Sequence, residues 1–355
     1  MPCKSLLSLL GVKLPIIQAP MAGVSTPSLA AKVTNAGGVG SIGIGAMSNE
    51  DAEKAISDTM KLTDKPFNVN VFCHQTPRKN IELERKWINQ FLPTFNSFKT
   101  LPPKELKEIY QSFNDSKQID ILIKLKPKIV SFHFGLPCPE YLEVLKNLGI
   151  TTLATATSLE EAHLIEQAGI DIVVAQGIEA GGHRGVFELT RTDEKLSTIH
   201  LLKKIILQTS LPVVAAGGIM NGNDIFNALN NGAMAVQMGT AFLLCPEANV
   251  GKYYHSKIKQ CEKGMTTITS CISGRPARGI INQIIKTGNE FPLSSIPDYP
   301  YAYDLAKQLN NAAVKSSSND YSALWAGTGV TKAREMTVEN LIKTLEREIN
   351  EAKQT

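Results

Sequence analysis

The residue best suited to catalysis is a histidine in a glycine-rich segment. Gly181-Gly182-His183-Arg184-Gly185 follows an apolar run that ends at Gln176. With glycines around it, the imidazole has few local packing partners, so His183 is predicted to project from a loop, where catalytic groups are common. Imidazole titrates near neutral pH, which allows His183 to accept a proton or, when charged, to hold an anion. A merely solvated loop histidine is the alternative.

Two successive glycine-rich turns predict a phosphate site. Gly217-Gly218 follows the run Val213–Ala216, and Gly239-Thr240 follows Val236-Gln237-Met238. Small residues at the end of a buried strand let backbone N–H groups approach an anion closely. The loops after strands seven and eight are the usual phosphate position in eight-stranded α/β barrels. The alternative is that these glycines only permit tight turns.

Neutral amides at other strand ends suit the edge of a flavin ring, which presents alternating carbonyls and nitrogens. They are Asn70, Gln176 and the stretch Gln18–Gly23, which includes Met21 and Ala22. A G-x-G-x-x-G fingerprint followed by a ribose-binding acid is absent as a proper unit. A Rossmann dinucleotide site is therefore not predicted.

Two further groups could line a substrate site. His133 lies near the end of the run Ile129–Phe134. The sequence supports equally a core histidine with its hydrogen bonds made inside the protein and a residue of the active site. Tyr299, Tyr303 and Lys307 are spaced by four, so they would share one face of a helix. Two phenols and an ammonium could bind an anionic substrate; an ordinary helix surface is the alternative.

Short apolar runs and amphipathic helical stretches alternate along the first two-thirds of the chain. This alternation predicts parallel strands joined by right-handed crossovers, and eight of them favour a (β/α)₈ TIM barrel in the α/β class. The predicted strands are Pro15–Ala19, Gly40–Ile44, Phe67–Phe72, Ile129–Phe134, Thr152–Ala156, Ile172–Ala175, Pro212–Ala216 and Ala235–Met238.

Two segments interrupt this alternation and predict the domain organisation. Residues 1–249 are assigned to the barrel, with a helical insertion at 74–127. Residues 250–320 form a smaller, mainly helical substrate or lid domain over the carboxyl ends of the strands. Residues 321–355 return to the barrel, because Thr337–Lys353 is amphipathic and suited to packing on its outside.

Composition sets the remaining expectations. The 355 residues carry a formal net charge of +4 without a concentrated basic face, so nucleic acid is not an expected partner. No apolar run approaches the ~20 residues that span a bilayer, and the stretch from Ser5 to Leu10 lacks the features of a signal peptide. Six dispersed cysteines, without a C-x-x-C pair or a His/Cys grouping, predict reduced thiols, no metal site and a cytoplasmic protein.

The ordered set of motifs resembles the nitronate monooxygenases, formerly called 2-nitropropane dioxygenases, over nearly the whole chain. The resemblance rests on Gln18-Ala19-Pro20-Met21-Ala22-Gly23, Asn35-Ala36-Gly37-Gly38-Val39-Gly40, Phe67–Phe72, Gly181–Gly185, Ala215–Ile219, Gln237–Thr240, the Tyr299/Tyr303/Lys307 set and Trp325-Ala326-Gly327. It implies a barrel with a smaller substrate domain and a non-covalent FMN. It also implies detoxifying oxidation of alkyl nitronates, notably propionate 3-nitronate, by O₂ to an aldehyde or oxo acid plus nitrite or nitrate.

The resemblance also implies residue roles. His183 would be the active-site histidine, either as a base or as an anion-binding donor. The substrate site would be lined by His133, Tyr299, Tyr303 and Lys307. Met21 and Ala22 would lie against the flavin ring through their backbone. The remaining FMN contacts would be Asn70, Gln176, Gly181, Gly218, Gln237, Met238, Gly239 and Thr240.

Two other functions share part of this pattern. An FMN-dependent enoyl-acyl-carrier-protein reductase would have the barrel, the glycine turns and the Gly-Gly-His segment, but it would need a nicotinamide donor. Its reacting thioester end is neutral, which disfavours it beside Tyr299, Tyr303 and Lys307. A non-catalytic phosphate-binding barrel would leave His183 unexplained. Both a monomer and a homodimer are compatible with the sequence.

Overall fold

Eight parallel strands form the centre of the molecule in a computed structural model that describes residues 10–354. Each predicted strand is present, with ends within one residue of the expected ones. The strands are β1 (Ile16–Gln18), β2 (Ser41–Gly43), β3 (Asn68–Phe72), β4 (Ile129–His133), β5 (Thr151–Ala156), β6 (Ile172–Gln176), β8 (Val213–Ala216) and β9 (Ala235–Met238). Strand β7 (Gly182–His183) belongs to a second, smaller sheet.

The strands close into a barrel. Their order is β1-β9-β8-β6-β5-β4-β3-β2, with every pair parallel. The ring closes through Val39, just before β2: its N–H donates to Ile16 O at 2.9 Å, and its carbonyl accepts from Gln18 N at 2.8 Å. The Gln18 side chain reinforces this seam, because its Oε1 accepts from Ser41 N at 2.8 Å. The predicted (β/α)₈ barrel is confirmed.

Helices surround the strands on the outside. Along the barrel they are α1 (Pro27–Asn35), α2 (Asn49–Leu62), α5 (Gln118–Leu125), α6 (Pro139–Asn147), α7 (Leu159–Gln167), α8 (Thr198–Ile206) and α9 (Gly222–Asn230). Their boundaries follow side-chain capping: Ser158, for example, accepts from Glu161 N at 3.2 Å where α7 begins. The C-terminal helix α13 (Val338–Ala352) packs against α9 and α1. The tail therefore returns to the outside of the barrel, as its amphipathic pattern predicts.

The two interrupting segments pack against each other. The first contributes α3 (Ile81–Gln90) and α4 (Leu92–Ser97); the second contributes α10 (Lys252–Lys259), α11 (Gln283–Gly288) and α12 (Tyr301–Lys315). Buried residues of both segments form one hydrophobic cluster, which includes Trp87, Phe91, Phe95, Ile272, Ile284, Leu305 and Leu309. The insertion and the lid segment therefore share a core. The domain boundaries themselves remain a prediction.

A small antiparallel sheet, which the sequence pattern did not predict, joins the lid segment to the barrel. It has the order β10 (Thr266–Thr269), β11 (Ala277–Ile280) and β7 (Gly182–His183). In the register of β7 with β11, Ala277 lies opposite His183. The lid segment is thus paired by backbone hydrogen bonds to the segment that carries the candidate catalytic residue.

Several expectations concern the chain ends and the thiols. Cys3 and most of the Ser5-to-Leu10 stretch lie outside the described residues, so the expectations about them stay predictions. Cys73, Cys138, Cys245, Cys261 and Cys271 are free thiols, all buried or half-buried. Within residues 10–354, none of the helices has the length and apolar character needed to cross a membrane.

Candidate active site

His183 is held at the barrel mouth, the carboxyl-end face of the strands together with the loops that follow them. Its carbonyl accepts from Nε2 of Gln176 at 3.0 Å and from Nε2 of His133 at 3.3 Å. The Gln176 Oε1 accepts from Gly185 N at 2.9 Å. The expectation of a free loop was wrong, because Gly182-His183 forms β7, paired with β11. Gln176 was predicted to contact FMN. Its side chain instead holds this segment through the two hydrogen bonds above and a third contact, between its Oε1 and Arg184 Nη1 at 3.4 Å.

A buried ion pair locks the same segment from behind. Arg184 is fully buried, and its Nε and Nη2 donate to the two carboxylate oxygens of Asp193 at 2.8 and 3.0 Å. Its Nη1 donates to the carbonyls of Gln176 and Gly177 at 2.8 and 2.9 Å. A bidentate arginine–carboxylate pair is geometrically specific, so Arg184 fixes the path of the chain between β6 and β7.

The protonation of His183 follows from its partner Ser273. The Ser273 hydroxyl donates to Arg275 O at 3.2 Å, and Ser273 Oγ lies 2.9 Å from Nε2 of His183. With the hydroxyl proton committed to Arg275 O, Nε2–H of His183 donates to Ser273, and Nδ1 keeps its lone pair. Burial, with His133 and Arg275 nearby, lowers the pKa of His183 to about 3. The imidazole is therefore neutral at physiological pH.

His133 is also a neutral histidine at this site. Its Nε2 faces the carbonyl of His183, which only accepts, so Nε2 carries the proton. Its Nδ1 lies 3.1 Å from Thr155 Oγ1 and accepts from that hydroxyl. Burial is the main cause that lowers the pKa of His133 to about 4. The prediction of His133 as a substrate contact stays untested, but its hydrogen bond directly positions the His183 backbone.

The predicted Tyr299, Tyr303 and Lys307 meet at the barrel mouth. Helix α12 begins at Tyr301, so Tyr299 precedes it, yet its ring lies 6.5 Å from that of Tyr303. Each of these two rings lies 6.0 Å from the His183 ring. The Lys307 ammonium lies 5.9 Å from the Tyr303 ring centroid. The structure brings this set together with His183.

Tyr110, in the insertion, is a site residue that the sequence analysis missed. Its phenol oxygen accepts a hydrogen bond from Lys307 Nζ, and its ring lies 6.0 Å from that of Tyr303. Burial raises the pKa of Tyr110 to about 12, so the phenol stays neutral. No periodic pattern marks Tyr110, which lies between helices in a proline-containing stretch. Nothing in the sequence therefore distinguished it from a surface tyrosine.

Phe134 packs at the centre of the site. Its ring lies 4.5 Å from that of His133, 5.5 Å from that of His183 and 5.6 Å from that of Tyr299. Its backbone φ of 74° is uncommon for a bulky residue and marks local strain at the end of β4. The Arg275 guanidinium covers the Phe134 ring at 4.3 Å from its centroid.

The two phosphate turns lie together on β8 and β9. Gly218 has a φ of 70°, which favours glycine, and the 3₁₀ turn Thr240–Phe242 begins directly after Gly239. The first N–H groups of such a turn have no acceptor within it, so they are available to an anion. A third chain segment lies beside these turns, because Gly327 N donates to Thr240 Oγ1 at 2.9 Å. Gly327 also lies so close to Gly181 that a Cβ on Gly181 would be 2.4 Å from Gly327 N, which only glycine allows. Residues 325–329 thus complete this surface.

The remaining predicted cofactor residues lie in or after β1, β3 and β9. Asn70 donates through Nδ2 to Ser131 O and Oγ at 3.1 and 2.9 Å, and no hydrogen bond within residues 10–354 uses its Oδ1. Ala22 is exposed. The Met21 side chain lies next to Gly239, since its Sδ would be 3.6 Å from a Cβ placed on that glycine. Gln237 and Met238 belong to β9, with Gln237 half-buried and Met238 in the core.

Comparison with known proteins identifies the family. The family model described as nitronate monooxygenase matches residues 4–348. The chain belongs to the nitronate monooxygenase family. The nitronate monooxygenase of Paraburkholderia phytofirmans is 47% identical over 351 residues, which cover 98% of this chain and 96% of that protein. The nitronate monooxygenase of Pseudomonas aeruginosa is 47% identical over 342 residues, covering 96% and 97% of the two chains.

A solved structure agrees with this membership. The nitroalkane oxidase from Streptomyces ansochromogenes superposes with a TM-score of 0.89 at 35% identity, covering 99% of both chains. Proteins of the nitronate monooxygenase family are flavin-dependent oxidoreductases, and the chain shares their TIM-barrel fold. The family expectation drawn from the ordered motifs is confirmed.

Proposed function

We propose that this protein is an FMN-dependent monooxygenase that oxidises alkyl nitronates, of which propionate 3-nitronate is the type, with O₂. One observation carries the proposal: a neutral imidazole and an ammonium both lie near the same tyrosine. The His183 ring is 6.0 Å from the Tyr303 ring, and the Lys307 ammonium is 5.9 Å from the Tyr303 ring centroid. An anionic substrate is attracted to Lys307 and to phenol donors, while His183 Nδ1 offers a lone pair.

The residues present fit FMN. The N–H groups of the turns at Gly218 and Thr240 suit one terminal phosphate, with the Thr240 hydroxyl as a further donor. Asn70 Oδ1 suits an N–H of the ring, and the exposed backbone around Met21 and Ala22 suits its edge. A Cβ on Gly181 would lie 2.4 Å from Gly327 N, so the two backbones approach closely, and residues 325–329 would be among those that hold the cofactor. When bound, FMN supplies electron acceptance from the substrate and electron transfer to O₂.

The protein residues then perform binding and proton handling. Lys307 and Tyr110 donate charge-assisted hydrogen bonds to the anion, Lys307 from its ammonium and Tyr110 from its neutral phenol. His183 Nδ1 is placed to take a proton from a neutral nitroalkane, or to accept one from a bound donor, while Ser273 keeps the Nε2 proton in place. The aromatic rings of Phe134, Tyr299 and Trp325 pack around His183 and exclude water.

The test has two parts. Purified protein should be yellow and should release FMN, not FAD, on heating. Under anaerobic conditions propionate 3-nitronate should bleach the flavin, and NADH or NADPH should not do so at a useful rate. Rapid bleaching by NADPH, with no response to nitronate, would instead support the enoyl reductase. A colourless protein that cannot be reconstituted with FMN contradicts the flavin assignment.

A cytoplasmic location is part of the proposal. It is supported by the dispersed cysteines, of which Cys73, Cys138, Cys245, Cys261 and Cys271 are unpaired. Cell fractionation tests it: recovery of the protein in an oxidising, extracytoplasmic fraction contradicts this location.

A further inference from the structure

One exposed side chain beside the phosphate turns has no role in the proposed chemistry. It belongs to the strap, residues 325–329, which lies against the turns that follow β8 and β9. In the strap, Thr328 stands between two glycines and is exposed. Its backbone N–H donates to Glu179 O at 3.0 Å, and no hydrogen bond within residues 10–354 uses its hydroxyl. The Thr328 hydroxyl is therefore accessible and available to a ligand.

The two glycines let the strap pack directly against the barrel backbone. A Cβ on Gly327 would lie 2.7 Å from Glu179 O, closer than a real side chain tolerates. A Cβ on Gly329 would lie 2.5 Å from Met220 Cγ and 3.3 Å from Gly218 O. Side chains are thus excluded on both sides of Thr328, which leaves the threonine to face a ligand at this position.

The Thr328 hydroxyl lies beside the turn that follows β8. Its Oγ1 would be 3.7 Å from a Cβ placed on Gly218. The backbone N–H groups of Gly218 and Gly329 have no hydrogen-bond partner among the described residues. Two N–H groups and one hydroxyl are therefore available where the strap meets this turn, and a phosphate can accept from all three kinds of donor.

The carboxylate next to this position is already engaged. The Glu179 Cβ would lie 3.1 Å from a Cβ on Gly218. Its Oε2 accepts from both N and Oγ1 of Thr198, each at 2.9 Å. The carboxylate is thus directed to the first residue of α8. The free donors of Thr328, Gly218 and Gly329 are left to a bound anion.

The chain on both sides of the strap is tied to other elements. On the lid side, Ile280 N of β11 donates to Leu324 O at 2.8 Å. On the barrel side, Arg334 pairs with Glu348 of α13 at 2.7 Å. In between, Gly327 N donates to Thr240 Oγ1 at 2.9 Å. The strap is therefore a fixed wall beside the phosphate turns and not a free loop.

We propose that the strap holds the terminal phosphate of FMN, with the Thr328 hydroxyl donating to a phosphate oxygen, and so selects a phosphate monoester over a diphosphate. This inference rests on the proposed FMN cofactor. The turns after β8 and β9 bind the phosphate from one side, and the strap binds it from the other. FAD continues beyond this phosphate, so its second phosphate needs space that the strap occupies. Thr328 is thus a residue that determines cofactor specificity.

The experiment compares FMN with riboflavin, which lacks only the phosphate. Each is titrated into the flavin-free full chain, and binding is followed by flavin fluorescence. In Thr328→Val we expect the Kd for FMN to rise by about 10- to 100-fold, because a hydrogen bond to a charged group is lost. The Kd for riboflavin should change by less than about 3-fold, and Thr328→Ser should bind both flavins nearly as the wild type does.

A second threonine of the same stretch provides the matched control. Thr331 is also exposed but lies outside the strap. Thr331→Val should leave both Kd values unchanged. An FMN Kd in Thr328→Val equal to that in Thr331→Val, or an equal loss for FMN and riboflavin, overturns the role of Thr328. If Thr328→Val does not fold, Thr328→Ala is measured in its place, with the same outcomes.

Selection against a diphosphate has its own measurement. The wild type should bind FAD at least about 10-fold more weakly than FMN. Gly327→Ala places a Cβ 2.7 Å from Glu179 O, which displaces the strap, so the preference for FMN should narrow. Equal Kd values for FMN and FAD in the wild type, or an unchanged preference in Gly327→Ala, contradict selection by the strap.

These binding measurements are separate from the proposed activity. A protein that binds FMN through Thr328 but does not oxidise nitronates contradicts the proposed function and leaves this inference in place. Should the protein bind neither flavin, the proposed cofactor fails and inorganic phosphate becomes the probe. It should then raise the melting temperature of the wild type more than that of Thr328→Val, and equal shifts in the two proteins overturn the phosphate site at the strap.

Discussion

The Nε2 of His183 lies 2.9 Å from Oγ of Ser273, whose own proton is directed to the Arg275 carbonyl. This relationship places the imidazole proton on Nε2 and the lone pair on Nδ1. Since burial lowers the pKa of His183 to about 3, the side chain enters the reaction as a neutral acceptor. Attraction of an anion then falls to the Lys307 ammonium.

Replacing His183 by asparagine should separate its two possible roles. A general base contributes about 10²- to 10⁴-fold, so turnover of a neutral nitroalkane should fall by that factor in His183→Asn. A nitronate is already ionised, so its turnover should fall less, through weaker binding and orientation. Steady-state kinetics with both substrates measures this. Full activity on both, with flavin bound, would make His183 a bystander and His133 the next residue to replace.

The buried histidines predict a pH-dependent stability. Burial is the main cause that lowers the pKa of His74 and of His133 to about 4, against an unfolded value of about 6.5. Between these values the unfolded chain binds more protons, so this contribution is complete above pH 6.5 and is lost as the pH falls to about 4. Each histidine adds a slope of up to about 1.4 kcal/mol per pH unit to the free energy of unfolding.

Urea denaturation at several pH values between 4 and 7 checks this. His133→Asn should have a shallower slope of unfolding free energy against pH than the wild type. Gln167→Ala, on the outer helix α7, changes no titratable group, so it serves as the control and should keep the wild-type slope. Parallel lines for His133→Asn and the wild type would contradict the expectation, because they would mean that His133 titrates alike in both states.

The barrel was predictable from sequence because its signal is local. Each strand is a short buried apolar run, and each turn at its end is marked by glycine or by a polar cap, as at Asn221 before α9. The packing of the C-terminal helix α13 on the barrel was also predictable, since its apolar residues recur with the helical period. The glycine turns at Gly218 and Gly239 were visible for the same reason.

The rest of the site depends on contacts between distant segments. Tyr110 meets Lys307 across 197 residues, and Arg275 reaches Val186 across 89. Pairing of β7 with β11 turned a predicted loop into a strand, because a two-residue strand has no period that a sequence could reveal. The electrostatic state of His183 was likewise hidden, since it depends on burial and on Arg275.

Gly218 should be required for cofactor binding beyond its effect on folding. Alanine at its φ of 70° costs about 1–2 kcal/mol. Gly169 offers a matched control, with a φ of 74° and open space around a Cβ, far from the phosphate turns. Gly218→Ala should lower the melting temperature somewhat more than Gly169→Ala, because a Cβ at position 218 would lie 3.1 Å from Glu179 Cβ, and only Gly218→Ala should lose FMN. Equal flavin content in both, measured by absorbance, would remove Gly218 from the phosphate site.

The Thr240 hydroxyl should contribute to FMN retention in two ways. It accepts from Gly327 N at 2.9 Å and can donate its own proton to a phosphate. Thr240→Val removes both, and a hydrogen bond to a charged group contributes about 1.5–3 kcal/mol, so the Kd for FMN should rise by about 10- to 100-fold. Thr240→Ser keeps the hydroxyl and should bind FMN nearly as the wild type does. Fluorescence titration of the flavin-free protein with FMN measures both, and an unchanged Kd in Thr240→Val contradicts the role.

Tyr110 should help to hold the substrate through Lys307. Its phenol oxygen accepts from the Lys307 ammonium and, with a pKa near 12, stays neutral, so Tyr110→Phe removes one hydrogen bond without changing the charge. The donor is a charged ammonium, and a hydrogen bond to a charged group contributes about 1.5–3 kcal/mol, so KM for propionate 3-nitronate should rise by about 10- to 100-fold, with kcat less affected. Tyr141→Phe is the control, because its ring packs against Phe113, 5.4 Å away, on the outer side of the barrel. Flavin content should stay normal in both variants, since neither tyrosine belongs to β8, β9 or the turns that follow them. A KM for Tyr110→Phe equal to that of Tyr141→Phe would show that Lys307 binds the anion without the phenol.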